Sequence, residues 1–341
     1  NNIFLMIRRP PRSTPYTCRR QRQMCIRDRD LAHKNIVVVG LGSSGVATAQ
    51  FLRSRDAVVT ATDMADESEM SREALQLRES GVRLELGEHK LKTFEAADLV
   101  VTSPGVPNDA TPLVYARSRN VTVWGEVELA SRFIEEPIVA ITGTNGKTTT
   151  TTLVGEMLKH SGLKVFVGGN IGQPLIRYID SQEKAQIVVV EVSSFQLDTI
   201  DRFRANVAVL LNIAEDHLDR YVDFEAYSLS KFRIFENQTP DDIAIINGDD
   251  PRIHAMANSI TSRRLSFLRN VSAQSKNSFA RAVITEDAII IDSPHGDHDS
   301  FVNHPDSGAD EKTVIPFSNI KLFGRHNQEN TAAATLATLA A

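Results

Sequence analysis

The run Pro137-Ile-Val-Ala-Ile-Thr-Gly-Thr-Asn-Gly-Lys-Thr-Thr-Thr150 joins a short apolar strand to a glycine-rich turn, a lysine and the start of a helix. Strand, tight turn and helix in that order predict an α/β layer, because a helix with one apolar face has to bury it back against the sheet. Leu153, Val154, Met157 and Leu158 provide that face, and the helix is expected to stop near Gly162. The turn has the chemistry of a phosphate-binding loop. Backbone N–H groups of Gly143, Thr144, Asn145 and Gly146, and of Thr148 and Thr149 where the helix starts, can wrap a polyphosphate. Lys147 can neutralise it, and the Thr148 hydroxyl can hold Mg²⁺. The general form of such a loop has a glycine five residues before Gly146, where this chain has Ile141, so the loop is a variant. A strand-helix turn that merely contains glycine is the plainer alternative.

A second glycine-rich turn lies upstream. Asn35-Ile-Val-Val-Val-Gly-Leu-Gly-Ser-Ser-Gly45 gives a buried strand, the G-x-G-x-x-G pattern and a helix to about Ser54. A further strand over 57–62 ends in Asp63, an acid placed where an NAD-binding protein grips a ribose. On these residues alone a nicotinamide oxidoreductase leads, against a turn that only packs helix on strand. An amphipathic helix at 72–80, strands at 82–86 and 98–102, and the turn Ser103-Pro-Gly-Val-Pro107 complete a Rossmann-like parallel-sheet domain over residues 31–125.

With 341 residues, 41% of them hydrophobic and 24% charged, the chain can bury two domain cores. No apolar run approaches the roughly 20 residues of a membrane span, so no membrane is expected as a partner. The formal net charge is −5, and residues 1–30 hold eight arginines against two acids, which leaves the remainder clearly acidic. Nucleic acid is therefore not an expected partner. Residues 1–30 have no periodicity, no long apolar core and no small-residue cleavage site, and are read as a non-native or disordered leader rather than a signal peptide. Cys18 and Cys25 both lie in it, so the body has no disulfide or thiolate chemistry, as fits a cytoplasmic protein.

Residues 126–341 are expected to form a central α/β domain of the P-loop ATPase kind. Beyond the phosphate loop, three β-rich runs end in polar residues: 164–167 in Gly168-Gly-Asn-Ile-Gly172, 187–190 in Glu191-Val-Ser-Ser-Phe-Gln196, and 207–211 in Asn212-Ile-Ala-Glu-Asp-His-Leu-Asp-Arg-Tyr221. Ligands of open parallel sheets sit at the carboxyl ends of strands, so these clusters and the loop are expected to face one cleft. Glu191 closes a nearly continuous apolar strand, and Mg²⁺ coordination explains an acid there. His217 is a second metal ligand or a structural hydrogen bonder. Asn170 and the run Ser193 to Gln196 orient a polar substrate or satisfy loop backbone. Lys231 falls on the apolar stripe of Phe224, Tyr227, Ile234 and Phe235, on a helix expected over 224–237. Its amine snorkels to solvent, as composition alone suggests, or is neutral and modified, or binds phosphate.

Together these motifs resemble the Mur ligases, which build the peptide of bacterial cell-wall precursors by ATP-driven amide formation, over about residues 35–341. Thr142-Gly-Thr-Asn-Gly-Lys-Thr148 matches the family's ATP loop, which folylpolyglutamate synthases share. More specific are Gly169-Asn-Ile-Gly172, Glu191-Val-Ser-Ser-Phe-Gln-Leu197, Glu215-Asp-His-Leu-Asp-Arg-Tyr221 and Gly324-Arg-His-Asn-Gln-Glu-Asn330. With Gly40-Leu-Gly-Ser-Ser-Gly45 they look like the D-glutamate-adding branch. The resemblance implies that the first domain holds the UDP part of a substrate rather than NAD, through Ser43, Ser44, Asp63 and Gly105, with Asn170, Ser193 and Gln196 assigned to the same ligand. It implies ATP at residues 143–149, Thr148 and Glu191 on one Mg²⁺, and His217 with a carbamylated Lys231 at a second. Lys147, Lys231 and His217 are then the catalytic residues. Asn327 and Asn330 match positions near the ATP base, where a helix-start cap is the alternative.

The implied reaction joins UDP-N-acetylmuramoyl-L-alanine and D-glutamate, in the cytoplasm, on an enzyme expected to be a monomer. ATP turns the L-alanine carboxylate, a poor electrophile, into an acyl phosphate, and the amine of D-glutamate displaces the phosphate. Relatives continue past the position of Ala341 into a third α/β domain that supplies amino-acid binding, so this chain is expected to be a fragment without turnover of its own. A non-catalytic nucleotide-binding fragment and an NAD-dependent oxidoreductase stand as other classes. The oxidoreductase leaves the ATP loop, Glu191 and His217 without work.

Overall fold

The computed structural model describes residues 30–216, 220–269, 280–292 and 312–341. The chain divides into two compact units. One holds the described residues up to Glu136 together with Gly168–Ala185 and Val192–Phe203; the other holds Pro137–Val167, Gln186–Glu191 and the described residues from Arg204 onward.

The first unit is built on strands β1 (Asn35–Val39), β2 (Val58–Asp63), β3 (Arg83–Leu86), β4 (Leu99–Thr102) and β5 (Thr122–Gly125), in the order β3-β2-β1-β4-β5. Every pairing is parallel, with Val39 opposite Thr62 on one side and Thr102 on the other. Residues Ile36–Val39 are at most 2% exposed, because parallel strands are covered on both faces and read as unbroken apolar runs. Helix α1 (Ser43–Arg53) follows β1 and buries Val46, Ala49 and Leu52. Strand order reverses between β1 and β4, and a crevice opens at their carboxyl ends. The short helix α2 (Glu126–Ser131) follows β5 directly.

The second unit carries most of a nine-stranded sheet made of β6 (Ile138–Thr142), β7 (Val165–Gly169), β8 (Ile187–Glu191), β9 (Val207–Leu210), β10 (Ile243–Asn247), β11 (Arg263–Leu268), β12 (Ala280–Ile284), β13 (Ala288–Asp292) and β14 (Lys312–Pro316). Its order is β14-β13-β12-β11-β10-β9-β6-β8-β7. The run from β8 through β6, β9, β10 and β11 to β12 is parallel, and β13 and β14 add an antiparallel edge that the apolar runs alone did not announce. Helix α3 (Lys147–His160) buries Val154 and Leu158, with Leu153 and Met157 partly buried beside them. Helix α4 (Phe224–Phe232) continues into a tighter turn over Arg233–Phe235. Helix α5 (Arg325–Ala340) presents Ala332, Ala333, Leu336 and Ala337 to the same core as α3, its small side chains letting the backbones approach closely. Among the described residues no helix is long and apolar enough to cross a membrane.

Candidate functional site

The phosphate-type loop lies between β6 and α3, beside the carboxyl ends of β8 and β9. Gly146 has φ +84°, a left-handed conformation, and a Cβ there would stand 2.2 Å from Asn330 Oδ1, so only glycine fits. Asn330 is 4% exposed and donates from Nδ2 to Asn327 Oδ1 at 3.2 Å, while Asn327 Nδ2 donates to the Phe323 carbonyl at 2.8 Å. Both asparagines thus stand at the start of α5, and Asn330 stands against the loop. The loop's rear is tied down by a residue to which motif reading gave no role. Asn212 accepts from the Thr144 N–H through its carbonyl at 3.0 Å and from the Asn145 N–H through Oδ1 at 2.8 Å, and its Nδ2 donates back to the Asn145 carbonyl at 3.0 Å. Those two loop amides are therefore engaged, and the amides at the start of α3 are the ones left for an anion.

Lys147 Nζ folds over the loop and donates to the carbonyls of Gly143 at 3.0 Å and Thr144 at 2.8 Å. Burial pulls its pKa down, against the pull of Glu191 and Asp216 in the other direction. The Thr148 hydroxyl donates to Glu191 Oε2 at 2.8 Å, and Glu191 is 2% exposed at the end of β8, in register with Ile141. A hydroxyl and a carboxylate are hard oxygen donors of the kind Mg²⁺ takes, so the pair fits that ion. Among the described residues no group of three or more His, Cys, Asp or Glu could hold a metal, so phosphate and water oxygens would have to complete its shell.

Lys231 does not snorkel. It is 2% exposed, donates from Nζ to the Gly143 carbonyl at 2.9 Å, and lies 4.6 Å from the centre of the Tyr227 ring. One carbonyl thus accepts from two lysines. Tyr227 in turn places its hydroxyl 3.1 Å from Thr144 Oγ1, which also accepts from the Ala214 N–H at 3.0 Å. Burial pushes the Tyr227 phenol up, with Thr144 opposing and Asp216 adding to the rise. His217 lies outside the described residues.

The first unit has its own cavity of about 970 Å³ at the β1/β4 crevice. Ser43, Ser44, Asp63, Gly105, Asn170 and Gln196 all line it; Ser193 does not. Ser193 and Gln196 form a reciprocal cap at the short helix Ser194–Leu197, with Gln196 Oε1 accepting from the Ser193 N–H at 2.9 Å. A Cβ on Gly45 would lie 1.8 Å from the Gly40 carbonyl oxygen, so the third glycine of the fingerprint is what lets α1 approach the loop. Asp63 spends its carboxylate on backbone, accepting from the Leu41 N–H at 2.6 Å and the Ala65 N–H at 3.0 Å. Ser44 Oγ is buried with no hydrogen-bond partner among the described residues, an orphan hydroxyl at the cavity. Its presence fits an oxygen-rich ligand.

The residues over 34–125 match the model of the Mur ligase MurD-like N-terminal domain, and residues 141–338 match that of the Mur ligase middle domain. The chain belongs to the Mur ligase family. This Mur ligase chain is 51% identical over 308 residues to the UDP-N-acetylmuramoylalanine-D-glutamate ligase of Desulfosudis oleivorans, covering 90% of this chain and 63% of that protein. It is 48% identical over 310 residues to the protein of the same name from Geotalea daltonii, covering 91% and 64%. The chain therefore spans just under two thirds of the length of these relatives. Among solved structures, the UDP-N-acetylmuramate:L-alanyl-gamma-D-glutamyl-meso-diaminopimelate ligase from Neisseria meningitides matches with a TM-score of 0.52 at 17% identity, over 90% of this chain and 93% of that one, a likeness of fold.

Within this Mur ligase architecture three residues escaped motif reading. Asn212 stands two residues past the end of β9, at the head of a polar run, and that position was the available signal. Tyr227 sat in an apolar stripe that reads as core. His89 also lines the first cavity, with Nδ1 2.9 Å from Thr62 Oγ1; burial lowers its pKa while Asp63 raises it. Nothing around it in the sequence marks it.

Proposed function

We propose that this Mur ligase chain carries the nucleotide-handling part of an ATP-dependent ligase that adds D-glutamate to UDP-N-acetylmuramoyl-L-alanine in peptidoglycan precursor synthesis. The observation that carries the reading is the Thr148 hydroxyl on the Glu191 carboxylate at 2.8 Å, at the end of a loop whose Gly143 carbonyl also receives the buried Lys231. A dinucleotide dehydrogenase has no use for that arrangement; a phosphoryl-transfer site needs it. In this reading residues 31–125 hold the UDP part of the substrate and residues 126–341 hold ATP. The enzyme works in the cytoplasm as a monomer, without nucleic acid or membrane partners.

Lys147 and the amides opening α3 bind the ATP phosphates and offset their charge, and Asn327 and Asn330 stand towards the nucleotide base. Thr148 and Glu191 would hold one Mg²⁺, and His217 with a carbamylated Lys231 a second; these ions would supply further neutralisation of phosphate charge. Carbamylation has a physical motive here. Lys147 and Lys231 converge on the same Gly143 carbonyl, and a carbamate on Lys231 replaces repulsion between two ammonium groups with attraction. The L-alanine carboxylate oxygen takes the γ-phosphoryl group and ADP leaves. The D-glutamate amine then attacks the activated carbonyl, the carbon–oxygen bond to phosphate breaks, and the amide forms with loss of the amine proton.

Calorimetry of this chain with UDP-N-acetylmuramoyl-L-alanine and with MgADP tests the two binding assignments separately. Joining the chain to the remaining C-terminal third of a relative it matches allows turnover to be followed as ADP and phosphate release. Release that depends on both UDP-N-acetylmuramoyl-L-alanine and D-glutamate is expected. Binding without release would leave a nucleotide-binding module, and saturable NAD(H) binding in place of the UDP ligand would restore the oxidoreductase.

A further inference from the structure

One wall of the first cavity comes from a segment distant in sequence from the sheet it serves. Gly169, Asn170, Gly172 and Pro174 line it, on a turn closed by the Gly169 N–H donating to the Gln173 carbonyl at 2.9 Å. At the far end of that turn, the Ile176 N–H donates to Glu126 Oε1 at 2.6 Å across 50 residues of sequence. Glu126 is the first residue of α2, is 2% exposed, and its Oε2 is buried with no hydrogen-bond partner among the described residues.

The neighbouring Glu128 shows what an acid with a purely structural role looks like here. It is fully buried, but Oε2 accepts from the amides of Asp201, Arg202 and Phe203 at 2.8, 3.0 and 2.8 Å, and Oε1 receives Arg132 Nε at 2.7 Å. Both oxygens have work, and the charge is matched. Among the described residues Glu126 has no ion pair and an idle oxygen, a costly way to fill space that an apolar side chain or a glutamine would fill better. What its carboxyl does have is the foot of the cavity wall.

We propose that Glu126 is a positioning residue for the UDP-substrate cavity, fixing the 169–176 segment so that Asn170 is held in place before the ligand arrives. The inference rests on the reading that this cavity takes the UDP substrate. A wall ordered in advance spares the ligand the entropy of ordering it, which appears as affinity. Burial pushes the Glu126 carboxyl up to about 7, with the Ile176 and Leu175 amides opposing, as a carboxyl held away from any counter-charge requires.

The test is calorimetry on this 341-residue chain, with UDP-N-acetylmuramoyl-L-alanine reporting on the first unit and MgADP on the second. Glu126→Ala is expected to weaken the UDP ligand about tenfold or more and MgADP less than about twofold. Glu126→Gln, whose Oε1 still accepts from Ile176, is expected to return the UDP ligand to within about threefold of the unaltered chain. A folded Glu126→Ala chain with unaltered UDP-ligand affinity overturns the proposal. Should Glu126→Ala fail to fold, hydrogen exchange on the unaltered chain without ligand decides: the Ile176 amide, which donates to Glu126, has to exchange slowly before any UDP ligand is added, and exchange there as fast as in an unstructured segment overturns it. If the unaltered chain binds MgADP but not the UDP ligand, the cavity assignment itself has failed, and this proposal falls with it.

Discussion

Two strand-loop-helix junctions, one in each unit, share a backbone design and differ in how they handle charge. Both follow a buried parallel strand, both have a glycine at the helix N-cap, and neither helix has an acid in its first turn, so each presents a helix N-terminus open to an anion. At Gly40–Gly45 the contacts are quiet: Ser103 Oγ donates to the Gly40 carbonyl at 2.8 Å, and Asp63 accepts from the Leu41 amide. At Gly143–Thr148 two cations, the buried Lys231 and the half-buried Lys147, meet one carbonyl, and a buried acid meets the helix-start hydroxyl. Backbone geometry suffices to hold a diphosphate. Moving a phosphoryl group requires charges placed where charge develops, and only the second loop has them.

The most forceful way to break the comparison is to strip the second loop of its charge. Lys147→Ala is expected to lower ADP and phosphate release by about a thousandfold or more in the extended protein, with UDP-ligand binding by this chain unchanged. A loss of both activities would mean that the two loops are not separable. Next in size is Gly45→Ala, which drives a methyl into the Gly40 carbonyl; it should cost on the order of 3 kcal/mol of stability by denaturant unfolding and abolish UDP-ligand binding.

Burial of charge differs between the loops' surroundings as well. Burial raises the Glu126 carboxyl from its ordinary value of 4.5 to about 7, so its contribution is fully present below pH 4.5 and is lost as pH rises through about 7. The chain should therefore lose about 2 kcal/mol of stability between pH 5 and 8 from this group, and Glu126→Gln should flatten that slope. Glu191→Gln acts on the second loop alone. It keeps an acceptor for Thr148 but removes the charge, and should weaken Mg²⁺-dependent nucleotide binding by about 10-fold to 100-fold while leaving Mg²⁺-free binding nearly as before.

Much of this architecture could be read from the residues because it is local. Apolar β-branched runs such as Ile36–Val39 and Val188–Val190 can only be strands covered on both faces, and the glycines after them fix where the helices turn. Lys231 was visible as a charge on an apolar stripe, but its direction was not, because the acceptor is the Gly143 carbonyl 88 residues away. The same holds for Glu126 and Glu128, which look like surface acids on a short polar helix. The amides they accept from lie 50 and up to 75 residues downstream, and so did the information that two stretches of the later chain belong to the first compact unit. Side chains that join distant segments leave no periodicity, and reading them takes the folded chain.

The smallest effect is also the one that sharpens the comparison most finely. Asp63 closes β2, where the sequence pattern predicts a residue that grips the ligand, and it does line the cavity. Its two oxygens, however, are committed to the Leu41 and Ala65 amides, which makes it a brace for the first glycine loop. Asp63→Asn preserves one acceptor and turns the other oxygen into an NH₂ group facing an N–H, a mismatch worth roughly 1 kcal/mol. If Asp63 acts only as a brace, UDP-ligand affinity should fall about fivefold, and plain UMP, which lacks the second phosphate, should lose the same factor. If it grips the base or ribose directly, the free nucleoside uridine should lose its affinity in the same proportion as the whole ligand. Loss confined to phosphate-bearing ligands would place the aspartate with the loop amides, as a brace on the quiet loop rather than a contact to base or ribose.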